Sequence, residues 1–190
     1  MRLAKLALRD QLLTARGRRP LVEIGEDARR IAEHLLALPE VRRAATVAAY
    51  VSLGTEPGTS ALLGALLADG KRVIVPVLQP DHDLDWAAYK GPDLLVPAAR
   101  GLLEPTGARL GPDAVATADV VLVPGLAVDR AGIRLGRGGG SYDRALGRVP
   151  VGTFTCVLLY DDEVGVEVPA ELHDRPVLAA VSPAGVTRLR

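Results

Sequence analysis

Residues 44–78 read AATVAAYVSLGTEPGTSALLGALLADGKRVIVPVL, and this run sets the class of architecture. An apolar run from Ala44 to Val51 is followed by a loop rich in Gly, Ser, Thr and Pro. A leucine-rich segment then extends from Thr59 to Asp69, is stopped by Gly70, and gives way to a second apolar run from Arg72 to Leu78. Two strand-length runs around a helix-length one read as β-α-β. The unbroken apolar character of VIVPVL suits a parallel strand covered on both faces. Pro76 has no N–H to give a ladder, so the end of that strand is predicted to be a bulge or an edge. The crossover is expected to be right-handed.

On the N-terminal side of this unit, residues 2–16 have helical spacing, with Leu3, Leu6 and Leu13 on an apolar face and Lys5, Arg9 and Arg16 near another, before Gly17. Lys5 and Arg9 are four apart, so a helix projects both cations to one side, where they either grip a polyanion or form a solvated basic face. A second helix is predicted over Glu26 to Leu38, with Pro39 as its stop. His34 within it has no partner at metal-ligand spacing and reads as an ordinary histidine.

On the C-terminal side, residues 79–111 are rich in Pro, Gly and Asp and read as a small excursion beside the sheet. They hold one candidate strand, Leu84 to Tyr89, and a turn in GLLEPTG. Trp86 reads as a core or edge anchor in preference to a stacking wall for a planar ligand. Further strands are predicted at Asp119 to Val123, Gly152 to Leu159 and Val177 to Val181, and a helix over Tyr142 to Leu146. The expected class is α/β with a largely parallel central sheet.

With 190 residues the chain fits one domain spanning 1–190. Its 23 basic residues balance its 23 acidic ones, so no overall field favours nucleic acid or an anionic membrane. Cys156 is the only cysteine, which excludes an internal disulfide framework and a cysteine zinc cluster and suits a reducing compartment. No run approaches the ~18 apolar residues of a membrane span, and Lys5, Arg9 and Asp10 interrupt any signal-like core. A cytoplasmic protein is expected, with no nucleic-acid, membrane or obligate protein partner.

Two loops carry the chemistry. SLGTEPGTS lies at the carboxyl end of the first predicted strand, where open α/β sheets bind ligands, and Glu56 is its only charged residue. The span VPGLAVDRAGIRLGRGGGSYDRAL, Val123 to Leu146, packs Gly136, Gly138, Gly139 and Gly140 between arginines. It fails the dinucleotide pattern GxGxxG, because Ser141 stands where the last glycine belongs, and no GK[ST] occurs anywhere. Backbone N–H groups unshielded by side chains, followed by a helix start, still make an anion site, flanked by Arg134 and Arg137. A structural turn is the alternative. Asp143 beside a phosphate would repel it unless a cation such as Mg2+ intervenes, although a carboxylate at a helix start has its own favourable place.

At these residues the chain resembles the 5-formyltetrahydrofolate cyclo-ligase family, also called 5,10-methenyltetrahydrofolate synthetases. Beside the glycine motif, KLALR at Lys5 to Arg9, YVSLGTEPGTSALL around Glu56, LLEP ending at Pro105 and the tail VPAELHDRPVLAAVS agree in order. The resemblance implies a single-domain three-layer α/β/α fold. It also implies ATP- and Mg2+-dependent conversion of 5-formyltetrahydrofolate to 5,10-methenyltetrahydrofolate, by phosphoryl transfer to the formyl oxygen. Lys5, Arg9, Arg134, Leu135, Gly136, Arg137, Gly138, Gly139, Gly140, Ser141 and Tyr142 would meet ATP, with Lys5 and Arg134 catalytic. Val51 and Glu56 would contact the folate, with Arg137 to Ser141 also near it, and Asp143 and Asp174 would hold the metal. Ser141 stands where a tyrosine is common in the family, which bears on a ring contact with a ligand, and Glu163 stands where a glutamine is common, a change expected to alter local substrate polarity. The competing classes are a non-catalytic nucleotide- or folate-binding regulator and a sugar-phosphate isomerase, since fold alone does not decide activity.

Overall fold

The computed structural model describes residues 2–189, apart from the Arg2 side chain. Three helices open the chain: α1 (Arg2–Arg16), α2 (Leu21–Ala37) and α3 (Pro39–Arg43). The β-α-β unit follows as β1 (Thr46–Ala48), α4 (Ser60–Ala68) and β2 (Arg72–Leu78), and then β3 (Leu84–Ala88). After the short strands β4 (Leu95–Pro97) and β5 (Leu103–Pro105) come β6 (Val120–Pro124), β7 (Ala127–Val128), β8 (Arg134–Leu135) and α5 (Ser141–Arg148). The chain closes with β9 (Phe154–Leu158), β10 (Ala179–Ser182) and β11 (Gly185–Arg188).

Seven strands form one sheet in the order β11-β10-β9-β6-β1-β2-β3. The five inner strands run parallel, and the two edges, β3 and β11, pair antiparallel. The predicted largely parallel sheet is thus present. Strand alternation sorts the apolar side chains into two cores. Val73, Val75, Leu122, Cys156, Leu158 and Val181 share one with α2 and α4. Ile74, Val121, Val123, Val157 and Ala180 share the other with α5 and the 3-10 turn at Pro112–Thr117. Helix, sheet and helix make the three layers. Burying Leu62, Leu63 and Leu66 of α4 completely contributes about 1.5–3 kcal/mol each.

β1 lies between β2, which follows it, and β6, which the chain reaches much later. Chain direction therefore switches at β1, and the loops leaving the carboxyl ends of β1 and β6 flank a crevice, the usual ligand position in such sheets. Pro76 is tolerated because pairing with β1 ends at Ile74, while Pro76 itself lies opposite Trp86 of the antiparallel edge strand.

Several boundaries differ from the sequence expectations. The strand expected over Ala44 to Val51 is only three residues long, because Tyr50 onward leaves the ladder to build the Glu56 loop. The Leu84 segment is no excursion: β3 belongs to the main sheet, and only the β4–β5 arm stands apart. Leu103 to Pro105 is a strand, and the turn of that arm is at Ala99–Gly101. Pro39 stops α2 by leaving Leu38 extended, but it also starts α3 as a first-turn proline. Most consequential is α1, whose two faces are reversed. Leu3 and Leu6 are 81% and 61% exposed, whereas Lys5 and Arg16 are 5% and 1% exposed. Leu12 alone on this helix is a buried leucine, packed on Leu126, Ala127 and Leu135 of the β7–β8 hairpin region. No helix among the described residues is long and apolar enough to cross a membrane.

Candidate active site

The loop after β1 is closed at its base by a reciprocal pair: Ser52 N–H donates to Thr59 Oγ1 at 2.9 Å, and Thr59 N–H donates to Ser52 Oγ at 3.0 Å. The Thr59 hydroxyl also donates to the Tyr50 carbonyl at 2.8 Å. Within this frame the buried Glu56 carboxylate accepts the Leu53 N–H at 2.8 Å through Oε2. Its Oε1 accepts Arg137 Nε at 3.1 Å, so the β1 loop and the glycine loop meet across the switch point.

The glycine loop leaves β8 and winds into α5. Gly138 has φ +99°, a conformation that disfavours any side chain, and a Cβ there would stand 3.4 Å from the Arg9 guanidinium carbon. Arg9 Nε donates to the Gly136 carbonyl at 2.8 Å, which ties α1 to the loop. Helix α5 begins after Gly140 with no side-chain cap, leaving its first amides for an anion.

Lys5 reaches the C-terminal tail. Its ammonium donates to Glu171 Oε2 at 2.8 Å and to Asp174 Oδ2 and Oδ1 at 2.8 and 3.1 Å. Burial alone would lower the Lys5 pKa, but the hydrogen bonds and charges of Asp174 and Glu171 outweigh it and raise the pKa. Burial likewise pushes the Asp174 pKa up, and Lys5 together with the Glu171 N–H brings it below its ordinary value. Arg134, on β8, is buried and donates to Asp143 Oδ1 at 3.2 Å. Desolvation pulls its pKa below the usual arginine value against the opposing charge of Asp143. Burial raises the Tyr142 phenol pKa, with Glu56 adding to the effect and Arg134 opposing it, so the phenol stays protonated.

These groups line one cleft of about 1180 Å³, above the roughly 300–1,000 Å³ of a single small-molecule pocket and roomy enough for two ligands. Every residue that the family resemblance assigned to ATP, folate or metal lies on its wall: Lys5 and Arg9 from α1, Val51 and Glu56 from the β1 loop, Arg134 through Asp143, and Asp174. Ser141 opens α5, and Leu135 closes the β8 end of the glycine loop.

Other expectations fall outside it. Trp86, on β3, is buried in the core, as the anchor reading required, and not in the cleft wall. His34 Nε2 lies 3.1 Å from the Pro183 carbonyl, an ordinary hydrogen bond. Glu163 does not set substrate polarity: it is buried away from the cleft wall against Arg16. Sequence reasoning missed Glu171, although Asp174 three residues on was named. It also missed Tyr50, whose buried hydroxyl has no hydrogen-bond partner among the described residues. Arg100 and Glu104 of the β4–β5 arm line the cleft as well, from a segment with no periodic signal.

The donor chemistry fits a hard divalent cation. Asp143 and Asp174 offer carboxylate oxygens on the wall that also carries the anion loop, and ligand atoms of Glu171, His173 and Asp174 lie within 4.8 Å of one another.

Fold and cleft together define an α/β enzyme whose glycine loop and cationic helix face one cleft beside an acidic pair at a sheet switch point. Comparison with known proteins narrows this class. The sequence model of the 5-formyltetrahydrofolate cyclo-ligase family matches residues 2–183. The 5-formyltetrahydrofolate cyclo-ligase of Mycolicibacterium smegmatis is 44% identical over 151 residues, covering 76% of this chain and 77% of that one. The Escherichia coli K12 protein of the same name is 33% identical over 172 residues, covering 86% and 90%. The NMR structure of Aquifex aeolicus 5,10-methenyltetrahydrofolate synthetase superposes with a TM-score of 0.83 at 30% identity, covering 98% of this chain and 93% of that one. The chain belongs to the 5-formyltetrahydrofolate cyclo-ligase family.

Proposed function

We propose that the protein, acting in the cytoplasm as one domain over residues 1–190, binds ATP and 5-formyltetrahydrofolate side by side in this cleft and cyclises the folate to 5,10-methenyltetrahydrofolate. The observation that carries the reading is the Arg137–Glu56 contact, which brings the anion loop and the folate-facing loop to one point beside Lys5, Arg134 and two carboxylates. The formyl oxygen attacks the γ-phosphate and ADP leaves, giving an imidate phosphate. N10 then attacks the formyl carbon, phosphate leaves, and the N10 proton is lost to solvent. No covalent enzyme nucleophile is required.

The chain's own task is alignment and charge neutralisation. Lys5, Arg9 and Arg134, with the amides of Gly136 to Tyr142, supply positive potential where phosphate oxygens lie. The glycine loop admits those oxygens because no side chain shields its backbone. In this reading Glu56, buried and already an acceptor, takes N–H donors of the pterin, with Val51 as an apolar neighbour. Asp143 and Asp174 are the carboxylates that would hold Mg2+, which would supply positive charge against the phosphate oxygens. Lys5 covers Asp174 in the present arrangement, so the same carboxylate serves the ammonium or the ion.

Incubating the purified protein with ATP, Mg2+ and 5-formyltetrahydrofolate should produce the absorbance of the methenyl product. Measurable binding of both ligands with no product would overturn the assignment.

A further inference from the structure

Behind the cleft lies a polar cluster that the chemistry above does not use. Arg16, about two turns beyond Arg9 on α1, donates from Nε to Glu163 Oε1 at 2.7 Å and from Nη2 to Glu163 Oε2 at 2.7 Å. The same Nη2 donates to the Gly125 carbonyl at 2.7 Å, at the turn leaving β6. Glu163 Oε2 in turn accepts the Tyr160 N–H at 2.9 Å. The Tyr160 ring is covered by Arg19 at 4.0 Å and Arg16 at 5.4 Å, and its hydroxyl donates to the Thr55 carbonyl at 3.0 Å. Thr55 immediately precedes Glu56.

A buried ion pair is a poor stabiliser, because desolvating both charges offsets most of their attraction. Arg16 and Glu163 are both about 1% exposed, and Arg16 Nη1 is left without a partner among the described residues. What the cluster does provide is orientation, since it joins three walls of the cleft: α1 with its cations, the turn at Gly125 and, through Tyr160, the loop that presents Glu56. Burial pushes the Tyr160 phenol up to about 12, so it remains a hydrogen-bond donor at every physiological pH.

We propose that Tyr160, fixed by the Arg16–Glu163 pair, is a positioning residue that holds the Thr55 carbonyl and thereby sets Glu56 for the folate. The role rests on the folate reading of Glu56, but its structural half does not. Tyr160→Phe removes one hydroxyl and leaves the packed ring. Losing a hydrogen bond of about 1 kcal/mol corresponds to roughly a fivefold change.

The Tyr160→Phe protein should show a KM for 5-formyltetrahydrofolate about fivefold higher, with the KM for ATP unchanged and Tm lowered by about 4 °C or less. Amide exchange in residues 52–58 should accelerate by a similar factor with no ligand present, a readout that stands even if the protein turns over no folate. Replacing the pair with apolar side chains, Arg16→Met with Glu163→Met, should reproduce the folate effect in a folded protein. Equal losses for both substrates, or unchanged exchange at 52–58, would show that Tyr160 only packs and would overturn the proposal.

Discussion

Helices α1 and α4 are both leucine-rich, and they use their leucines in opposite ways. α4, SALLGALLA, has no charged residue and buries Leu62, Leu63 and Leu66 between the sheet and α2. α1 exposes Leu3 and Leu6 and turns inward a file made of Lys5, Arg9, Leu12 and Arg16. One helix is placed by the hydrophobic effect alone. The other is placed by cations finding carboxylates and carbonyls, with Leu12 and its neighbours adding a small apolar anchor. Where burial and hydrophobicity part company in this way, the buried charge marks the working surface.

The largest effect that separates the two helices should come from Lys5→Met. Its kcat/KM should fall by about 10²–10³ as a preorganised charge is lost, and near-normal turnover would erase the distinction. The same substitution should alter acid stability. Asp174 has a folded pKa below its unfolded 3.8, so its contribution is present above that value and is lost as pH falls through the folded one. The Tm of the unsubstituted protein should therefore drop below about pH 4, and the Lys5→Met protein should lose less there. A parallel acid limb in both would show that the pair is not coupled.

Next in size is Leu66→Ala in α4. Truncating a fully buried leucine should cost about 2–5 kcal/mol in chemical denaturation, with kcat/KM of the folded fraction unchanged. A loss of turnover at full folding would mean that α4 also serves the site. Smallest is Leu6→Gln on the outer face of α1, where the change in stability should stay within about 0.5 kcal/mol. A fall of several kcal/mol would place that leucine in a contact the exposed face does not show.

The same contrast explains what the sequence made legible. β2, α4 and β6 could be read because both faces of an inner parallel strand are apolar, and a helix laid on them needs no polar side. The glycine loop was legible because so much backbone without side chains has no packing use. The inward turn of Lys5 was not, since its partners Glu171 and Asp174 lie 166 and 169 residues away and leave no local pattern. Arg16 and Glu163 were hidden for the same reason, at a separation of 147 residues. The edge strand β11 escaped notice because its four residues, Gly185 to Arg188, are half-buried or exposed and carry no apolar alternation. The β4–β5 arm was obscured by prolines that serve in short strands as readily as in turns.

The buried file of α1 has one more consequence, in time rather than in space. Synthesis runs from the amino end, and the groups that accept the hydrogen bonds of this helix, Gly125, Gly136, Glu163, Glu171 and Asp174, all lie far downstream of it. During synthesis Lys5 and Arg16 therefore lack their carboxylate partners until Glu163, Glu171 and Asp174 have been translated. A chain released before Glu163 would hold most of its strands, but Lys5 and Arg16 would lack their carboxylate partners.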